Sequence, residues 1–145
     1  SVDHILALFC TSHLLVNCLG SMTLQIVLPD TVRSGEAVPI TLRLTNTDRK
    51  PATAYLQGRP VAFDIIVSRR DGSVVWRRLD AAVVTAVLQV RSLAPGEILE
   101  FHDTWPQRTN LGAAVEPGDY LVTGVLPTDP PAELRTHAAP LRILP

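Results

Sequence analysis

Few residues in this chain could do chemistry, and their spacing argues against most of it. His102 and Asp103 are neighbours in the sequence, and a histidine oriented by a carboxylate is half of a general-base pair. On a strand, adjacent side chains point to opposite faces, so these two cannot orient each other. No Gly-x-Ser-x-Gly elbow activates a serine, and no glycine-rich loop is placed to cradle phosphate. Cys10 and His13 stand three apart, which would put two metal ligands on one face of a helix. A zinc site needs three or four protein ligands, so no metal and no other cofactor is expected. The fourteen carboxylates are scattered, and no pair suggests acid and base work. Four arginines, Arg69, Arg70, Arg77 and Arg78, gather around one turn. They read as a solvated sheet end, with an anionic docking patch as the sharper alternative. No catalytic residue is assigned, and an enzyme is the last of the classes considered.

What remains is binding, and binding needs a scaffold. From Thr23 onward the apolar residues recur with period two. Leu24, Ile26 and Leu28 share a face, as do Val38, Ile40, Leu42 and Leu44, then Val61, Phe63, Ile65 and Val67, then Leu99, Phe101 and Trp105. This is the pattern of half-buried antiparallel strands. Ser34-Gly35, Asp71-Gly72, Pro95-Gly96 and Pro117-Gly118 supply turns between them. With twelve prolines and no long helical period, the expected fold is an all-β, immunoglobulin-like antiparallel sandwich of about seven to eight strands. Tyr120 follows a Pro-Gly-Asp turn at the start of a late strand, the placement of a tyrosine corner. A two-residue turn at Asp71-Gly72 would set Trp76 opposite Val67, which makes Trp76 a core residue rather than an exposed sugar-stacking ring.

At 145 residues with 46% hydrophobic and 19% charged residues, the composition is that of one globular domain. A net charge of -1 argues against a nucleic-acid partner, because phosphate binding needs concentrated positive charge. The domain is expected at residues 22–145, with residues 1–21 an apolar extension, helical in part and derived from a tag or fusion. That front lacks a basic n-region, and polar residues interrupt its apolar run, so neither a signal peptide nor a membrane span is expected. Its apolar stripe could promote association, and the oligomeric state stays open. Both cysteines, Cys10 and Cys18, lie in it, so the domain must be held by its core. Absence of a disulfide framework fits the cytoplasm.

The motifs, in order, are "SGEAVPITLRLTNT", "YLQGRPVAFDIIV", "DGSVVWR", "LAPGEILEFHDTW" and "VEPGDYLVTGVL". Together they make residues 23–144 resemble the bacterial intracellular proteinase inhibitor family, the BsuPI-type domain. The resemblance implies Gly58, Asp64, Gly72, Trp76, Trp105, Gly118 and Tyr120 as signature positions of structural character. The aliphatic run "RRLDAAVVTAVLQV" departs from the family's more aromatic pattern after the first Trp. The resemblance implies an inhibitor that binds a serine protease of the subtilisin type, or another protein, through surface loops. A rigid sandwich would present an extended loop, its ordering entropy already spent. Two connections are longer than needed, residues 47–60 and 106–118. Without an extra strand in the first, both would lie at one end of the sandwich. The contact candidates are Tyr55, Leu56 and Gln57 in the first and Thr109, Asn110, Leu111 and Gly112 in the second. For Tyr55 and Leu56 a short edge strand is the preferred reading, for Leu111 packing beneath its loop weighs equally with contact, and residues 127–134 are a reserve loop. The other classes considered are a non-inhibitory immunoglobulin-like interaction module and a carbohydrate-binding module, the latter needing an exposed Trp76 or Trp105.

Overall fold

The computed structural model describes residues 16–19, 22–80, 84–128 and 133–145. Its described elements are all strands: β1 (Val16–Leu19), β2 (Met22–Val27), β3 (Thr31–Arg33), β4 (Val38–Asn46), β5 (Ala52–Gln57), β6 (Asp64–Arg69), β7 (Val74–Arg77), β8 (Leu88–Leu93), β9 (Ile98–Trp105), β10 (Gly118–Pro127), β11 (Glu133–Arg135) and β12 (Ala139–Leu144). One sheet runs β1-β2-β4-β9, entirely antiparallel. The other runs β3-β12-β10-β6-β7, with β11 added to β10 and β3 parallel to β12. β5 and β8 form a separate two-stranded ribbon. The all-β sandwich expected from period two is present, with more strands than seven or eight, because short edge pieces such as β3 and β11 complete the sheets. Val16–Leu19 is a strand of the first sheet and not part of a helix; Cys10, His4, His13 and the rest of the front segment lie outside the described residues.

Alternation sorts the side chains as the physics of a pleated sheet requires. β4 reads buried at Val38, Ile40, Leu42 and Leu44, and β12 at Ala139, Leu141 and Ile143. The sheets meet closely: Gly124 of β10 lies against Leu42 of β4. At one end of the sandwich Trp105 packs on Trp76, with ring centroids 6.2 Å apart, and on Tyr120 at 6.1 Å. Trp105 is wholly buried, and Trp76 is half-buried against the same core.

Trp76 does pair with Val67, by a different route from a two-residue turn. Arg69 N–H bonds to Ser73 O, so the loop is Arg70-Asp71-Gly72, closed by Gly72 N–H donating to Arg69 O. Ser68 then faces Val74, and a bulge beyond it restores the Val67–Trp76 pairing. Gly72 takes a φ of 91°, the left-handed geometry such a loop needs. Ser73 donates to Asp71 from its hydroxyl at 2.6 Å and its backbone at 2.8 Å, and these bonds hold the carboxyl below its ordinary value.

Candidate functional site

The loop after β9 is built from Trp105 outward. The indole Nε1 donates to Arg108 O at 2.9 Å, so the loop's first turn hangs on a core residue. Gln107 is buried with a φ of 58°, unusual for a residue with a side chain. Its amide nitrogen donates to Arg33 O at 2.7 Å and Glu36 O at 2.8 Å, and its amide oxygen accepts from Gly35 N–H at 3.2 Å. Three hydrogen bonds to one neighbouring turn offset that backbone geometry and tie the loop to the β3–β4 connection.

Beyond Gln107 the chain folds back on itself. Arg108 pairs with Ala114, and Thr109 N–H donates to Ala113 O at 2.8 Å. Gly112 N–H donates to Thr109 O at 2.9 Å, with Gly112 at φ 91°. The Thr109 hydroxyl accepts from Ala113 N–H at 3.2 Å, and Arg108 Nη1 donates to Gly112 O at 2.9 Å. The Asn110 carboxamide accepts from Arg77 N–H at 2.8 Å and donates to Arg77 O at 2.9 Å. It thereby occupies both backbone groups that Arg77 presents on the free edge of β7, as a neighbouring strand would. At the tip, Leu111 is 98% exposed. The extended loop expected from the sequence is instead a tight, braced hairpin, because its backbone groups bond to one another. Leu111 does not pack beneath it.

The other candidates lie elsewhere. The 47–60 stretch does contain an extra strand, β5, so it does not share an end with residues 106–118. Asn46 Nδ2 holds its start to Leu93 O and Lys50 O at 2.9 Å, and Leu56 bridges Thr128 at the far end of β10. Leu56 faces inward and is fully buried, which removes it from any contact surface; it is a core residue. Tyr55 faces outward at 38% exposure opposite Val90, and Gln57 is half-buried. Of the reserve loop, residues 129–132 lie outside the described residues.

The groups that looked most like chemistry are used for structure. His102 Nδ1 and Thr41 Oγ1 share a hydrogen bond of 2.9 Å on the exposed face, while Asp103 pairs with Arg78 Nε at 2.6 Å on the opposite one. Arg78 is not a solvated sheet-end residue: its guanidinium lies 3.6 Å over the Phe63 ring and donates to Phe63 O at 2.7 Å. Buried Asp64 accepts from Ile65 N–H and Leu79 N–H, each at 2.9 Å. Among the described residues, no group of three His, Cys, Asp or Glu could hold a metal ion, and no helix is long and apolar enough to cross a membrane. Gln107 and Arg108 are parts of the site that no sequence motif marks, whereas Trp105 ends one of the motifs.

Tyr120 closes the loop's other end. Its hydroxyl donates to Glu116 O at 2.5 Å, the tyrosine corner expected from the Pro-Gly-Asp-Tyr order. Burial pushes its phenol above the ordinary value. A phenol whose folded value is raised favours the neutral form, so its stability contribution is complete below about pH 10 and declines as pH rises through the folded value. Tyr120→Phe is expected to cost about 1 kcal/mol at neutral pH and to flatten this alkaline decline. Urea unfolding of both proteins between pH 7 and 11 checks it; an equal alkaline slope would refute the role of Tyr120.

An antiparallel sandwich with a tyrosine corner and structural use of its polar groups places the molecule among immunoglobulin-like β-sandwich domains. The chain belongs to the BsuPI family, described as intracellular proteinase inhibitor, whose family model matches residues 26–131. No curated protein matches the sequence. Among solved structures it is similar to the sporulation control protein Spo0M of Bacillus subtilis, at 14% identity and a TM-score of 0.54 over 88% of this chain. The chain spans about half of that protein, 51% of its length. It is also similar to the CARDB domain of PF1109 from Pyrococcus furiosus, at 11% identity and a TM-score of 0.49, covering 92% of this chain and 98% of that one. These likenesses concern the fold alone.

Proposed function

We propose that this protein is a proteinaceous inhibitor of a subtilisin-type serine protease, acting in the cytoplasm and binding through residues 106–118. The family description supports inhibition and an intracellular site. The observation that carries the loop assignment is Leu111, a large apolar side chain 98% exposed at the tip of a loop braced on two sides. An exposed leucine alone means little, but a rigidly held one costs little further entropy when it enters an apolar pocket. Thr109, Asn110 and Gly112 shape the tip, and Leu111 makes the contact. Tyr55 and Gln57 would belong to a separate surface.

Titrating the full chain against subtilisin is expected to give stoichiometric inhibition. Leu111→Asp should weaken it by at least about 100-fold, since a carboxylate would have to enter an apolar pocket. The melting temperature should not change, because the side chain touches solvent alone. Unchanged inhibition by Leu111→Asp would remove the loop from the mechanism. The second reading, a non-inhibitory interaction module, is favoured by the outward row of Tyr55, Leu88 and Val90 on the β5–β8 ribbon, at 38%, 53% and 58% exposure. It would leave proteolysis untouched.

A further inference from the structure

A protease reads its substrate as an extended strand, pairing the backbone groups on both sides of the bond it cuts. A five-residue extended stretch spans roughly 17 Å. Residues 109 and 113 are instead hydrogen-bonded to each other across the tip. The groups a protease would need are taken: Thr109 O by Gly112 N–H, Ala113 N–H by the Thr109 hydroxyl, and Gly112 O by Arg108. The hairpin is also anchored from outside. Asn110, next to the tip, spends its whole carboxamide on Arg77 N–H and O, 33 residues away in sequence.

We infer that the loop blocks a protease as a closed hairpin that is not a substrate, and that Asn110 is the positioning residue that keeps it closed. This rests on the inhibitor reading and extends it. Leu111 fills the apolar pocket, while the Leu111–Gly112 bond stays outside the reach of the catalytic serine. Such an inhibitor needs a protease whose pocket is apolar and whose mouth admits a two-stranded turn. Opening the hairpin would give an extended Asn-Leu-Gly-Ala segment with a leucine before the bond to be cut, which is a substrate.

The test uses the full chain with subtilisin, following both residual activity and the intact mass of the chain over long incubation. The wild type is expected to inhibit and to remain whole. Asn110→Ala should inhibit at least about tenfold more weakly and be cut between Leu111 and Gly112, with a melting temperature close to that of the wild type. Asn110→Asp keeps the acceptor for Arg77 N–H and loses the donor to Arg77 O, so it should fall between. A residue with only a structural role would shift melting and leave the cut site unused. The proposal is overturned if the wild type inhibits while being cut at Leu111–Gly112. It is also overturned if Asn110→Ala stays whole and inhibits as well as the wild type. A wild type that neither inhibits nor is cut overturns the inhibitor reading itself, a result distinct from both.

Discussion

Replacing Trp105 by alanine should lower stability by about 3–5 kcal/mol, the largest loss expected from any single side chain in this fold. The ring is wholly buried and sits between Trp76 and Tyr120, at 6.2 Å and 6.1 Å between centroids. The 65° tilt against Tyr120 is the edge-on arrangement that aromatic quadrupoles favour, so part of the loss exceeds simple area burial. The second effect falls on the site. Without the indole N–H, Arg108 O loses its partner, and Gln107 is left as the remaining hold on the first turn of the loop. Trp105→Phe separates the two effects, because it keeps most of the apolar volume and removes the donor. Denaturant unfolding should place Phe between wild type and alanine, while the loop's proton exchange should be as fast in Phe as in alanine. A loss below about 1 kcal/mol for alanine would mean that the aromatic row is incidental.

The comparison of Trp105 with Trp76 shows what a sequence can carry. Both were legible as core residues, since large apolar residues at alternate positions have few other fates. Which one is fully enclosed was not legible, because it depends on the approach of two sheets whose strands are far apart in sequence. The Val67–Trp76 pairing is legible from the Asp71-Gly72 signal although the loop is longer than two residues, because the longer loop and a bulge cancel each other. β5 is legible only as a short edge strand at Tyr55 and Leu56, because its inward face is Ala52, Ala54 and Leu56. Two alanines give almost no hydrophobic period; Ala54 and Leu56 are buried because the ribbon's inner face packs into the common core. The exposed leucine of the candidate site could be nominated from the length of its loop and from the inhibitor reading that the family resemblance implies. Its supports could not, for Gln107 and Asn110 act through amides on backbone groups tens of residues away, and an amide in a loop looks the same in sequence whether or not it has such a partner.

Gly124→Val should cost about 1–3 kcal/mol, and the reason lies across the sandwich rather than in the backbone. Gly124 has no need of a left-handed conformation. It sits in the middle of β10, where a Cβ would come 2.2 Å from Leu42 Cδ2 and 3.2 Å from Leu42 Cγ. Leu42 is fully buried in the middle of β4, so its methyl cannot swing into solvent and must displace a neighbour. β propensity and the stiffer unfolded chain both favour valine over glycine, which makes the sign of the effect informative: contact must outweigh them. Leu42→Ala alone should cost about 2–5 kcal/mol by leaving a cavity at the same place. In the double variant the new methyls fill part of the space the leucine vacates. The two changes should therefore fall short of additive by about 0.5–3 kcal/mol, measured as a double-mutant cycle in urea. Strict additivity would show that the sheets adjust their separation freely at this point, and that the glycine does not set how closely they meet.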